Sequence, residues 1–257
     1  MGGTLTPARD YITALGDFFL PRTCLVCGRT LLRRERYLCI YCMDDLPRTW
    51  FETVEHNPMA DRFNEMIQRE LTEYEPFSRA AALFYYNAHA SYRNIPRHIK
   101  YHGGTGAGRM FGRMLGEALA AAPLFAGVTC VLPVPLHPRR RWKRGYNQAE
   151  VIARAAAQAL GAECACNILS RRRMTRTQTS LTVEQKAANV RSAFVADPVA
   201  LAALGGTGHL LLVDDVFTTG ATLCACRSAL RKTLAALGVP PESVRISIAT
   251  LACVGGL

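Results

Sequence analysis

Four apolar residues, Leu210 to Val213, run straight into two adjacent carboxylates, Asp214 and Asp215. Thr218-Thr219-Gly220-Ala221-Thr222 follows, a loop of small residues that opens a helical pattern. A short uninterrupted apolar run reads as a buried strand. The loop lets backbone N–H groups approach an anion at a helix N-terminus, and its threonines add hydroxyl donors. An acidic strand edge beside such a loop suits a ligand with both hydroxyls and a phosphate, such as a ribose 5-phosphate. Successive strand residues face opposite ways. Both acids therefore meet one ligand only if the strand ends with the apolar run, so its end is expected at Val213. The ligand then sits outside the carboxyl end of the strand. Taken alone, Asp-Asp also reads as a surface corner and Thr-Thr-Gly as a helix cap.

The surrounding pattern alternates. Ala80 to Tyr86, Val128 to Val134, Cys164 to Leu169 and Val244 to Leu251 read as strands. Met110 to Ala121, Asn147 to Leu160 and Gly220 to Leu237 read as helices. Further helices are expected over Ala8 to Leu20, over Pro58 to Leu71, and over Tyr92 to Tyr101 with an interruption near Pro96. Alternation of this kind predicts an α/β fold, a mostly parallel sheet covered by helices on both faces. At 257 residues and 49% hydrophobic content the chain can bury one sizeable core and still carry a small appended module. No run of about 18 apolar residues occurs, so no transmembrane helix is expected. The N-terminus does not read as a signal peptide, and a cytoplasmic location is the default.

Charge is concentrated. Twelve of the 31 lysines and arginines, but only three of the 20 acids, fall between Leu136 and Arg191, which puts +9 of the net +11 there. The expected partner of that stretch is a polyanion, whether phosphates, pyrophosphate or nucleic acid. Its first part, Leu132-Pro-Val-Pro-Leu-His-Pro-Arg-Arg-Arg-Trp-Lys-Arg-Gly-Tyr-Asn-Gln148, reads as a stiff Pro- and Arg-rich loop. Arg139, Arg140 and Arg141 suit bidentate contact with phosphate oxygens, and Asn147 suits a helix cap. A solvated basic loop is the plainer reading. Trp142 and Tyr146 could stack on single-stranded bases, but packing beneath the loop is the expected arrangement. The segment from Arg171 to Arg191 is long, polar and charged, as binding loops and lids are.

Ten cysteines are present. Cys24 and Cys27, and Cys39 and Cys42, form two CxxC pairs with Gly28 permitting a tight turn. Four thiolates so placed suit a structural, closed Zn²⁺ site; two disulfides or no metal are the alternatives. The other six (Cys130, Cys164, Cys166, Cys224, Cys226, Cys253) read as scattered buried thiols inside strands and helices, which fits a reducing compartment.

Val213-Asp-Asp-Val-Phe-Thr-Thr-Gly-Ala-Thr222 resembles the phosphoribosyl-pyrophosphate (PRPP) signature of type I phosphoribosyltransferases. The resemblance implies that Asp214 and Asp215 face the ribose hydroxyls as the catalytic pair. It implies that Thr218, Thr219, Gly220, Ala221 and Thr222 hold the 5-phosphate. It assigns Leu136, His137, Arg139, Arg140 and Arg141 to pyrophosphate, with Mg²⁺ accompanying PRPP, and it makes Arg171 to Arg191 a flap containing Arg176, Thr177 and Gln178. Some purine-salvage members carry an acid where Thr218 stands, so purine chemistry is not implied.

The joint order of an apolar helix, two CxxC pairs, PVPLH…RGYNQ, TQ…L…N…F and LLVDDVFTTGAT is similar to ComF-type proteins, phosphoribosyltransferase-like proteins linked to DNA uptake in natural transformation. It implies three regions. Residues 1–50 form a helix and Cys₄ zinc module, 51–79 a connector or acceptor-side element, and 80–257 the phosphoribosyltransferase-like domain. The short tail after the last strand implies no C-terminal acceptor hood, which leaves the region before Ala80 to supply one. The implied function is PRPP/Mg²⁺ binding with glycosyl transfer or PRPP cleavage on an unidentified acceptor. The rivals are a non-catalytic single-stranded-DNA-binding component of the uptake machinery, working beside its helicase, and a PRPP-sensing regulator.

Overall fold

The computed structural model describes residues 21–69, 75–86, 91–101, 103–171, 193–206 and 208–255. The expected helix Ala8 to Leu20 and the flap residues Arg176, Thr177 and Gln178 lie outside them.

In chain order the elements are α1 (Ile40–Asp44), α2 (Pro58–Gln68), β1 (Ala80–Tyr86), α3 (Asn94–Tyr101) and α4 (Thr105–Ala120). Next come β2 (Val128–Pro133), α5 (Pro138–Arg144), α6 (Gln148–Leu160), β3 (Glu163–Cys164), β4 (Leu169–Arg171) and β5 (Phe194–Ala196). The last are α7 (Pro198–Ala202), β6 (Gly208–Phe217), α8 (Ala221–Ala236) and β7 (Val244–Val254). Five strands form a parallel sheet in the order β1-β7-β6-β2-β3. β4 and β5 form a separate antiparallel ribbon.

The central strands are apolar on both sides because both faces are covered. Leu210, Leu212 and Ile248 pack with Met59, Phe63 and Ile67 of α2 and Leu223, Leu230 and Leu234 of α8. Leu211, Val213 and Ala249 pack on the opposite face with Ile99 of α3, Phe111 and Leu115 of α4 and Ile152 of α6. Cys24, Leu31, Leu38, Cys39 and Cys42 belong to this second core, so the cysteine segment is continuous with the sheet's packing. Asn94 donates to the Leu25 carbonyl at 3.0 Å, and Tyr92 to that of Cys42 at 3.1 Å.

Helices α4 and α6 meet through glycine. A Cβ at Gly108, Gly112 or Gly116 would stand 2.9, 2.6 and 2.5 Å from Val151 Cγ1, Ile152 O and Ala156 O respectively. These glycines recur every four residues and so share one helix face. The approach seats α6 against the sheet and thereby aims its N-terminus at the cavity described below.

Several elements depart from the sequence-based expectation. α4 begins at Thr105, five residues early, because the close approach to α6 overrides the poor helix propensity of Gly106 and Gly108. α3 runs through Pro96 without interruption, since Pro96 sits in the first turn, where an N–H has no intrahelical partner. The expected strand Cys164 to Leu169 is two pieces: β3 pairs with β2 for two residues, and the chain then turns away to build the ribbon. Cys166 accordingly lies outside strand or helix, and its sulfur is 3.8 Å from that of a half-buried Cys164.

Candidate functional site: an acidic strand end facing a basic wall

Strand β6 does not stop at Val213. It continues to Phe217, paired with β7 through Asp214↔Thr250, Val216↔Ala252 and Phe217↔Cys253. What ends is its other neighbour: β2 pairs as far as Pro133↔Val213, and the last bond on that side is Val134 N to Val213 O at 2.9 Å. Beyond that point one edge of β6 is open. Asp214 and Asp215 both line the cavity left by the departing β2. The geometry expected from a strand end is thus produced by the end of the adjacent strand.

The cavity has a volume of about 230 Å³. One wall is acidic. The cavity is also lined by Lys100, Arg140, Arg144 and Arg171, and by Tyr101, Leu136, Asn147 and Gln148. Thr222 links it to a smaller hollow of about 40 Å³ formed by Asp214 and the loop from Thr218 to Leu223. In that loop Gly220 is left-handed at φ +83°, and any Cβ there would meet Phe217 Cζ at 2.9 Å. The N-cap residue of α8 is Gly220, which has no side chain to cap with, and Thr219 Oγ1 accepts from Ala221 N at 3.4 Å. Thr218 and Thr219 are exposed.

Local chemistry explains the basic wall. After Val134 the chain leaves the sheet, and Pro138 at the first turn starts α5, a helix where a loop was expected. His137 caps it, accepting from Arg139 N on Nδ1 at 3.2 Å. Burial, then Arg171, Arg139 and Arg140, hold the His137 imidazole below its ordinary pKa, which preserves that acceptor. Gly145, left-handed at φ +83°, ends α5. Asn147 then starts α6, accepting from Ala149 N at 3.2 Å while its amide donates to the Val134 carbonyl at 3.0 Å. That second bond ties the helix start to the strand exit. Arg144 hydrogen-bonds Gln148 and lies 5.4 Å over the Tyr101 ring.

Of the residues assigned to pyrophosphate, Leu136 and Arg140 line the cavity, whereas His137, Arg139 and Arg141 do not. Arg141 turns toward Glu150 at 3.5 Å. The expected packing of Trp142 is not found: it is 89% exposed, because α5 lays its Arg-Trp-Lys face on solvent. Tyr146 does pack, donating its hydroxyl to the Ile99 carbonyl.

Sequence reasoning missed Lys100, Tyr101 and Arg144. Lys100 Nζ lies 2.5 Å from Asp215 Oδ2. The only local hint was the Ile95/Ile99 spacing, which buries one face of α3 and leaves Lys100 on the other. Asp214 accepts from Asp215 N at 2.8 Å. Burial, and then the neighbouring Asp215 charge, push its carboxyl well above the ordinary carboxylate pKa, and Lys100 opposes this.

The four N-terminal cysteines meet as one cluster, all four sulfurs lying within 4.8 Å of one another, and all are free thiols. Gly28 at φ +74° closes the first turn, and Cys39 caps α1 by accepting from Cys42 N at 3.5 Å. Cys39 N donates to Cys24 Sγ at 3.4 Å. Burial raises the Cys24 pKa, but donors from Cys27, Cys39 and Val26 outweigh it and bring it down to about 7. The donor set and the spacing fit a four-thiolate metal site. No helix among the described residues is long and apolar enough to cross a membrane.

No family model matches the chain. It is 36% identical over 105 residues to Competence protein F of Haemophilus influenzae, covering 40% of this chain and 44% of that protein. It is 34% identical over 107 residues to the DNA utilization protein YhgH of Salmonella typhi, and 32% over 106 residues to YhgH of Escherichia coli K12, each covering 41% of this chain and 44% of the relative. The chain is therefore a homologue of these proteins over a segment that spans less than half of their length. Among solved structures, a glutamine PRPP amidotransferase from B. subtilis complexed with ADP and GMP aligns with a TM-score of 0.36 and 17% identity, over 60% of this chain and 30% of that one.

Proposed function

We propose that this protein binds PRPP with Mg²⁺ at the open end of β6 and β2, promotes cleavage or transfer at the anomeric carbon, and works in the handling of incoming DNA. The observation that carries the reading is a pair of hollows that share Asp214 and Thr222 and together offer three chemistries. These are a threonine-rich loop, two carboxylates and a set of cations. A ribose with a phosphate at C5 and a pyrophosphate at C1 presents the matching sequence of groups. Thr218 to Thr222 hold the 5-phosphate through backbone N–H groups and hydroxyls. Asp214 and Asp215 accept hydrogen bonds from the ribose hydroxyls. Arg140, Arg144 and Arg171 face the pyrophosphate and stabilise the charge that builds on it as the C1–O bond lengthens. When bound, Mg²⁺ supplies further neutralisation of that leaving group. DNA handling is inferred from the names of the competence and DNA utilization relatives.

Titration calorimetry with PRPP and Mg²⁺ tests the site. An Asp214→Asn/Asp215→Asn double variant is expected to lose most of the affinity, and equal affinity in both proteins sinks the assignment. A pyrophosphate-release screen over amine and base acceptors then identifies the reaction.

A second reading is favoured by Trp142. An indole 89% exposed on a helix with five cationic residues is what a single-stranded nucleic acid can stack on. In this reading the basic face of α5 tracks a strand while the cavity keeps its sugar phosphate. Cys24, Cys27, Cys39 and Cys42 would hold a Zn²⁺ in a structural role, because four thiolate ligands leave no open position.

A further inference from the structure

One cation of the cavity, Lys100, is paired with an acid of the same cavity. Lys100 Nζ sits 2.5 Å from Asp215 Oδ2; the lysine side chain is 26% exposed and the carboxylate 6%. Lys100 is held there by its helix. Ile95 and Ile99 bury the inner face of α3, Tyr146 of the basic segment donates to the Ile99 carbonyl, and Arg144 covers Tyr101. The charged groups facing the acid pair are Lys100 from α3, Arg140 and Arg144 from α5, and Arg171 from β4.

A sugar diol that approaches Asp215 finds this carboxylate already ion-paired. Displacing a partly buried ammonium without giving it a new partner is costly, because it leaves a desolvated charge unpaired. A ligand avoids that cost only if it brings an anion next to its diol. A ribose with a free C1 hydroxyl does not. Its 5-phosphate reaches the threonine loop, on the far side of the sugar. A diphosphate on C1, adjacent to the 2-hydroxyl, does.

Resting on the PRPP reading above, we propose that Lys100 is a positioning and specificity residue. In the ligand-free site it pairs with Asp215 and fixes that carboxylate in place. On binding it exchanges Asp215 for the anionic C1 substituent, so the site selects ribose with a C1 diphosphate over ribose 5-phosphate.

Two measurements on the full chain test this. In the first, the Asp214 carboxyl is titrated by carbon-detected NMR without ligand. Lys100→Met moves its midpoint to higher pH, and Lys100→Arg restores it. An unmoved midpoint in Lys100→Met overturns the pairing of Lys100 with the acid pair and with it the proposal. In the second, calorimetry compares PRPP with ribose 5-phosphate, each with Mg²⁺. The wild type prefers PRPP. In Lys100→Met the preference shrinks about tenfold or more, the worth of one hydrogen bond to a charged group, while Lys100→Arg retains most of it. An unchanged ratio overturns the selectivity role. If the wild type binds neither sugar phosphate, the ribose reading fails by itself, and the Asp214 titration still decides whether Lys100 positions the acid pair.

Discussion

Replacing Gly112 by alanine sets two physical effects against each other. Alanine is the better helix former by about 1 kcal/mol in a helix interior, so local propensity alone predicts a more stable protein. The added Cβ, however, would stand 2.6 Å from Ile152 O, 2.9 Å from Ile152 Cα and 3.1 Å from Ala155 Cβ. Ordinary contact begins near 3.4 Å, so the shortfall against the carbonyl is about 0.8 Å. Two of the three obstructing atoms are backbone of α6, which no rotamer change can move. The helices must separate, and overpacking of this kind costs about 1–3 kcal/mol, to which lost contacts along the interface add. The expected net result is a destabilisation of about 1–2 kcal/mol, read as a lower urea midpoint by circular dichroism at unchanged m value. Gly116→Ala, at 2.5 Å from Ala156 O, should behave alike. The double variant should cost less than the sum, because one separation relieves both clashes. A Gly112→Ala protein as stable as the wild type, or more stable, would show that propensity wins and that the close approach of α4 and α6 is misjudged.

His209, 4% exposed and 2.8 Å from Ser247 Oγ, is held neutral: burial first, then Arg245, brings its pKa from 6.5 to about 4. The unfolded chain takes up the proton first on acidification. The stability contribution is therefore full above pH 6.5 and is lost as pH falls toward 4, about 3 kcal/mol in all. His209→Gln should flatten the urea midpoint over that window, and an unchanged pH dependence would count against the assignment. Metal analysis of the native protein should find stoichiometric zinc. Cys39→Ser should lose it and lower Tm, since Cys39 is part of the second core; retention of zinc in that variant would rule out the four-thiolate site. Single-stranded DNA should quench Trp142 fluorescence at low salt. Trp142→Ala should weaken binding by about 1–3 kcal/mol per stacked base, with affinity falling as salt rises. Equal binding by the alanine variant would remove the stacking role.

What could be read from the chain alone was the local chemistry. The apolar run of β6, the helix cap at Asn147, the loop from Thr218 to Thr222 and the paired cysteines each follow from side chains a few residues apart, and each is found where the sequence put it. The parallel sheet covered on both faces follows equally, because strands with no polar face need two layers of helix. Tertiary structure decided what depended on distant neighbours. Both acids reach one cavity because β2 ends opposite Val213, not because β6 does, and a strand's own sequence does not record the length of its partner. Trp142 faces solvent because α5 folds as a helix that turns this side chain outward, 89% exposed. Lys100 meets Asp215 only once α3 is packed against the sheet, across more than a hundred residues of chain. The α4–α6 contact turns glycines that weaken an isolated helix into the surface that holds two helices together. In each case the deciding term is contact between segments far apart in sequence, and such contact exists only in the folded chain.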